Sequence, residues 1–180
     1  MGRITLITGG SRSGKSRYAL EMASGYGKRA FIATAEPVDD EMKERIKKHR
    51  LDRGPDFITV EEPVDLAYAL DNLPPEIEVA IVDCLTVWLG NLQHREGKLS
   101  MNSPMIQAFL DVLRHLSCDL IIVTNEVGLG IVPSDPGVRE FRDVAGLLNQ
   151  EIARLADRVI LTVCGIPVVL KGKGHSSKMR

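Results

Sequence analysis

Along this chain, short runs of apolar and β-branched residues alternate with longer stretches in which apolar residues recur every three or four positions. The first pattern is that of buried strands and the second that of amphipathic helices. Strands are predicted at Arg3 to Thr8, Arg29 to Thr34, Phe57 to Glu61, Glu78 to Asp83 and Asp119 to Thr124, the last dense enough in β-branched residues to be central in a parallel sheet. Helices are predicted from Gly14 to about Gly25, with Tyr18, Ala19 and Met22 inward, and from Glu41 to about Asp52, where Gly54-Pro55 stops it. Others follow over Val64 to Leu73, ended by Pro74-Pro75, over Leu85 to Leu92 and over Met105 to Leu116. The longest, Gly137 to Ala156, carries Val138, Phe141, Ala145, Leu148, Ile152 and Leu155 at the spacing of a buried stripe. On a neighbouring face stand Arg142, Gly146 and Asn149; an interior glycine disfavours a helix, so close packing against a loop, ligand or subunit is expected there. Arg158 to Cys164 and Ile166 to Leu170 read as strands joined at Gly165, an edge hairpin. The polar stretch Gln93 to Asn102 reads as a mobile excursion and residues 172–180 as a flexible basic tail, leaving a single domain over residues 1–171.

Strand and helix alternate throughout, which predicts an α/β three-layer sandwich around a mostly parallel sheet. The first strand runs into Gly9-Gly10-Ser11-Arg12-Ser13-Gly14-Lys15-Ser16, which fits G-x-x-x-x-G-K-[ST] between strand and helix. In such a phosphate-binding loop the glycines let several backbone N–H groups aim at one phosphate, and Lys15 reaches the β/γ oxygens. The helix that follows adds the positive end of its dipole, and Ser16 is placed to ligate Mg²⁺. Four apolar residues running into Asp83 supply the second carboxylate expected of a Mg²⁺-nucleotide site, although a strand-end Asp can also be merely solvated. The fold class is therefore a P-loop NTPase sandwich, RecA-like, with a possible antiparallel hairpin at its carboxyl-terminal edge. Thr34-Ala35-Glu36 and the glycine-rich segment after Thr124 lie in loops at the carboxyl ends of strands, where α/β sheets bind ligands.

Composition narrows the partners. With 180 residues and a formal net charge of −1, the chain has no global field that would gather nucleic acid or a membrane surface. Cys84, Cys118 and Cys164 lack metal or redox spacing and read as buried reduced thiols of a cytoplasmic protein. His49, His94, His115 and His175 are too scattered for a metal cluster, and no apolar run is long enough to cross a membrane.

His49 follows Met42 and Ile46 on the thin apolar stripe of a helix otherwise rich in Lys47, Lys48, Arg50 and Arg53. Neighbouring cations favour neutral imidazole and stabilise phosphate charge. By residue type alone, a lone histidine beside an apolar stripe is more often a core or surface histidine than a nucleophile. The P-loop, the run Asp40-Glu41-Met42 through Arg45-Ile46 to His49, the corner Asp83-Cys84-Leu85-Thr86, Thr124-Asn125-Glu126-Val127-Gly128 with Ile131-Val132-Pro133, and Phe141-Arg142-Asp143 through Gly146 to Asn149-Gln150 together resemble the bifunctional adenosylcobinamide kinase / adenosylcobinamide-phosphate guanylyltransferase family of cobalamin biosynthesis. The resemblance spans residues 4 to about 171.

It implies two reactions: ATP or GTP phosphorylates the aminopropanol hydroxyl of adenosylcobinamide, and GTP then gives GMP to that phosphate through a guanylyl-histidine. By position the resemblance puts the nucleophile on His49, with Lys15 as its catalytic companion. Nucleotide contacts would fall on Gly9, Gly10, Ser11, Arg12, Ser13, Gly14, Lys15 and Ser16, on Thr34, Ala35 and Glu36, on Arg50, Leu51, Asp52 and Arg53, and on Glu61 and Asp83; Mg²⁺ would sit at Ser16 and Asp83. The corrinoid is larger than a pocket within one such domain, so a site shared between subunits is expected. A homotrimer is implied by the resemblance, with the apolar stretch around Trp88 the one sequence feature pointing to assembly. The alternatives are a simple P-loop kinase of another alcohol, with His49 structural, and a nucleotide-gated binding protein without turnover.

Overall fold

The computed structural model describes residues 2–37, 40, 43, 44, 47 and 56–172. Its elements are β1 (Ile4–Gly9), α1 (Lys15–Ala23), β2 (Arg29–Ala33), β3 (Phe57–Glu61), α2 (Leu66–Asp71), β4 (Val79–Asp83), α3 (Leu85–Glu96), α4 (Pro104–Val112), β5 (Asp119–Val123), α5 (Pro136–Leu155), β6 (Arg158–Val163) and β7 (Ile166–Lys171). The predicted helix over 41–52 and the tail beyond Gly172 lie outside the described residues, apart from isolated positions.

The strands form one sheet in the order β3-β2-β4-β5-β1-β6-β7. Every neighbouring pair is parallel except β6 with β7, which run antiparallel at the edge as the hairpin reading expected. Successive side chains alternate between faces, so the same strands feed two cores. Ile7, Phe31, Ile81, Ile121, Val123 and Ile160 meet Ala19 and Ala23 of α1 on one face. Leu6, Ile32, Val82, Leu120 and Ile122 meet the remaining helices on the other, through Leu66, Trp88, Phe109 and Leu148. Helix α2 starts where the Asp65 carboxylate accepts from the Tyr68 N–H, and α5 where Asp135 accepts from Val138 behind a first-turn Pro136. Both are side-chain N-caps.

Four expectations are corrected. Trp88 is wholly buried in its own chain, edge-on to Phe109, with its indole N–H on the Val64 carbonyl, so it says nothing about assembly. The stretch 93–102 is anchored, although His94 to Lys98 are exposed: Gln93 to Glu96 finish α3, Leu99 is 1% exposed, and its N–H donates to Glu140 of α5. Of the predicted α5 stripe only Ala145, Leu148 and Ile152 are buried, joined by Val144, which the stripe did not include; Val138, near the helix start, is 50% exposed. Of the cysteines only Cys118 is buried; Cys84 is half-buried, and Cys164 is exposed because it occupies the β6–β7 turn with positive φ. Among the described residues no helix is long and apolar enough to cross a membrane.

Candidate active site

The register places Glu61, Ala33, Asp83, Val123 and Ile7 in one row across β3, β2, β4, β5 and β1. The loops beyond this row form the ligand side of the sheet, and the P-loop is among them. Gly9 has φ 151°, and a Cβ there would sit 2.5 Å from the Thr162 carbonyl oxygen. Gly14, with φ 98°, caps α1 in the left-handed region and faces the Gly165 Cα, 3.3 Å from where its Cβ would be. Both positions require glycine for conformation and for close approach. Arg12 also has positive φ, 54°, although it is not glycine.

The loop is braced by the edge hairpin, which the sequence reading had not connected with it. Ser13 Oγ and Thr162 Oγ1 lie 2.7 Å apart, Thr162 Oγ1 also donates to the Thr8 carbonyl at 3.3 Å, and the Gly165 N–H donates to the Ser13 carbonyl at 3.0 Å. On its other side, the Glu126 N–H donates to the Gly9 carbonyl at 3.0 Å. The loop is thus held by β6, by the β6–β7 turn and by the segment after β5. Gly10, Ser11 and Arg12 stay exposed at its tip, while Ser13 is buried.

Lys15 is 7% exposed, and its Nζ donates to the Gly10 carbonyl at 2.6 Å. Burial lowers its pKa from the ordinary lysine value, while the acidic groups of Cys84 and Asp83 oppose that shift. The ammonium therefore lies in a partly desolvated site near Asp83, where its charge acts strongly on an incoming phosphate. Burial together with the Asp83 charge pushes the Cys84 thiol up to about 11, so it is neutral and not nucleophilic at physiological pH. The corner carrying Asp83 is fixed by Thr34: its Oγ1 donates to the Cys84 carbonyl and accepts from the Cys84 N–H, both at 2.9 Å. Thr34 is itself fully buried, and its carbonyl accepts from Asn91 at 2.8 Å. Its side chain is thus engaged in shaping the site.

Ala35 and Glu36 follow at the end of β2, with Glu36 paired to Arg95 of α3 at 2.7 Å. Glu61 ends β3, four strand positions from β1, roughly 19 Å at the usual spacing between strands. It is too distant to share the phosphates with the loop. His49, Arg50, Leu51, Asp52 and Arg53 lie outside the described residues. Among the described residues no group of three His, Cys, Asp or Glu side chains could hold a metal by itself. Ser16 in the first turn of α1 and Asp83 at the end of β4 are oxygen donors of the hard type that Mg²⁺ takes, provided phosphate oxygens and water complete the shell.

A braced glycine loop with a buried lysine and a strand-end carboxylate has the parts a nucleotide site needs, but by itself names no substrate. The family model for cobinamide kinase / cobinamide phosphate guanyltransferase matches residues 5–170. The chain belongs to that family. The bifunctional adenosylcobalamin biosynthesis protein CobP of Pseudomonas aeruginosa is 42% identical over 169 residues, covering 93% of this chain and 97% of that protein. The bifunctional adenosylcobalamin biosynthesis protein CobU of Escherichia coli is 36% identical over 181 residues, covering 92% and 98%. Among solved structures the RadB recombinase aligns at a TM-score of 0.51 with 16% identity, over 89% of this chain and 74% of that one. That likeness bears on the fold alone, and it agrees with a P-loop NTPase sandwich. The kinase-plus-guanylyltransferase pairing implied by the sequence motifs is the pairing that defines the family.

Proposed function

We propose that both reactions of this cobinamide kinase and guanylyltransferase run on the one P-loop, with His49 carrying GMP between them. The observation that carries this reading is Lys15, buried beside Asp83 in a loop braced from two sides, within a chain matched to the family over 5–170. In the kinase step the substrate hydroxyl bonds to the γ-phosphorus of ATP or GTP, and the bond to the β-γ bridging oxygen breaks. Lys15 and the loop N–H groups stabilise the charge that collects on the departing diphosphate. Ser16 and Asp83 would hold Mg²⁺, which neutralises phosphate charge when bound.

In the guanylyl step a neutral His49 nitrogen bonds to the α-phosphorus and pyrophosphate leaves, stabilised by the same loop and lysine. The phosphate of adenosylcobinamide phosphate then bonds to that phosphorus, the P–N bond breaks, and its electron pair returns to the imidazole. One difficult transfer becomes two easier ones. Ala35, Glu36, Arg50 to Arg53 and Glu61 are proposed to surround the guanosine end of the nucleotide, since Glu61 is set well away from the phosphate loop, while the fully buried Thr34 only supports them. A cytoplasmic homotrimer, with corrinoid sites near the subunit boundaries, completes the reading.

The test is incubation with α-labelled GTP and Mg²⁺ followed by denaturation. The protein is expected to retain acid-labile, base-stable label that chases into adenosylcobinamide-GDP. His49→Ala is expected to abolish the label while leaving adenosylcobinamide phosphorylation within about threefold of wild type, because covalent transfer and phosphoryl transfer use different nucleophiles. Absence of label on the wild-type protein would reduce the chain to a simple kinase.

A further inference from the structure

One charged group on the ligand side of the sheet has no role in the reading above. The Nη1 of Arg142 is buried without a hydrogen-bond partner among the described residues. Buried guanidinium nitrogens are normally satisfied, so an unmet one calls for an explanation. Its position in the fold supplies one. Helix α5 descends from beyond the carboxyl edge of the sheet toward the amino edge: Asn149 Oδ1 accepts from Thr124 Oγ1, just past the end of β5, at 2.9 Å, and after the helix the Asp157 N–H donates to the Ile4 carbonyl at the start of β1. Arg142, Gly146 and Asn149 share the face that Asn149 turns toward the sheet. Arg142 precedes Asn149 by seven positions, which sets it about 10 Å farther over the ligand side at the rise of an α-helix.

Between them, a Cβ on Gly146 would meet nothing within 4 Å among the described residues, so the helix leaves open space one turn along from Arg142. The segment from Thr124 to Glu126 joins this face to the P-loop, because the Glu126 N–H is bonded to the Gly9 carbonyl. The P-loop feeds α1 on one face of the sheet, whereas α5 lies on the other, so Arg142 stands over the same carboxyl edge as the loop but across the sheet from α1.

We propose that Arg142, with the space beside Gly146, binds the phosphate of the acceptor, adenosylcobinamide phosphate, in the guanylyl step. The inference rests on the two-reaction reading for its ligand, but not on His49. A phosphate monoester near neutral pH is close to a dianion, and a guanidinium offers it paired donors in fixed geometry. The unphosphorylated substrate of the first reaction lacks that partner. Arg142 thus separates the two corrinoids, drawing the product of phosphorylation onto the acceptor side of the site.

The experiment is equilibrium titration of wild type, Arg142→Ala, Arg142→Lys and Gly146→Leu with adenosylcobinamide and with adenosylcobinamide phosphate, with GTP binding as the check that each variant is folded. Wild type is expected to prefer the phosphorylated corrinoid by about 10- to 100-fold, the range for hydrogen bonds to a charged group. Arg142→Ala is expected to lose that preference while its affinity for adenosylcobinamide changes less than about twofold, Arg142→Lys to recover only part of it, and Gly146→Leu to weaken the phosphorylated ligand by filling the space. Retention of the preference in Arg142→Ala overturns the assignment, and so does an equal loss for both corrinoids. Labelling by α-labelled GTP reports separately on His49, so failure of the guanylyl-histidine and failure of this site give different results.

Discussion

At the amino ends of β1 and β5 the polar groups satisfy one another. Asp119 accepts from the Arg3 N–H at 2.8 Å, from Arg3 Nη2 at 2.7 Å and from the Tyr26 hydroxyl at 2.6 Å, while Asp157 accepts from the Ile4 N–H at 2.8 Å and Glu78 from the Gly27 N–H at 2.9 Å. The carboxyl ends of the same strands are built differently. There the chain turns through positive φ at Gly9, Arg12, Gly14, Cys164 and Gly165, buries a lysine, and leaves Thr8 Oγ1 and Arg142 Nη1 without partners among the described residues. The amino edge has exceptions, since Arg29 Nε at the start of β2 also lacks a partner among the described residues and Gly172 after β7 has φ 85°, but at β1 and β5 the two ends differ in this way. Strain and unmet donors concentrate at functional sites because the surrounding structure enforces them. Here α1, the β6–β7 turn and the segment after β5 do the enforcing.

The sharpest way to break this comparison is Lys15→Ala. It is expected to lower both transfers by about 10³-fold, the upper range for removing one preorganised charge donor. The melting temperature is expected to stay the same or rise, because a partly desolvated cation is removed from the fold. Turnover with ATP or GTP and a thermal melt on the same preparation check both halves. A melting temperature that fell in step with activity would mean that Lys15 belongs to the structural side of the comparison.

The opposite edge should respond the other way. Burial alone would raise the pKa of Asp119, but the bonds from Arg3 and Tyr26 hold it below the ordinary carboxylate value. A carboxylate depressed in the folded state contributes stability above its unfolded pKa, and the contribution disappears as pH falls through the folded one. Asp119→Ala is therefore expected to cost roughly 1–2 kcal/mol of unfolding free energy near pH 7, discounted from several hydrogen bonds for partial exposure. That cost should shrink steadily below about pH 4 and leave the Michaelis constant for GTP unchanged. Urea unfolding at two pH values, with GTP kinetics alongside, decides the matter. A constant cost across pH would remove the charge from the account.

The same division explains what the sequence made legible. The turn at Gly9 and Gly14 before α1, and the placing of Asp83 at a strand end, could be read because their signal is local: a strand, a fixed spacing and an apolar run that stops at a carboxylate. The sheet and its antiparallel edge followed from short apolar runs and the break at Gly165. What escaped depends on pairings across the chain. Ser13 meets Thr162 at a separation of 149 residues, and no local pattern foretells it. Leu99 stands among polar residues that look mobile until Glu140, 41 positions on, receives its N–H. Cys164 looked buried because its neighbours are apolar, yet an edge hairpin has only one covered neighbour and its turn residues project outward. Trp88 looked like an interface residue because periodicity cannot distinguish the core from a subunit contact. The orphaned nitrogen of Arg142 shows only once the packing around it is known.

The smallest effect tests the brace itself. Thr162→Val removes the hydroxyl that holds Ser13 Oγ and the Thr8 carbonyl, leaving Ser13 Oγ buried without that partner. An unmet buried hydroxyl costs about 1–2 kcal/mol, and because it sits inside the P-loop the cost should appear as about 5- to 30-fold weaker GTP binding with a smaller change in melting temperature. Replacing both partners removes the unmet group, so Ser13→Ala with Thr162→Val is expected to bind GTP more tightly than Thr162→Val alone. A double-mutant cycle on GTP affinity measures this coupling directly. Additive losses would mean that the hairpin and the loop touch without supporting each other. A positive coupling would show that the edge strand, far from the chemistry in sequence, holds the phosphate loop in its binding shape.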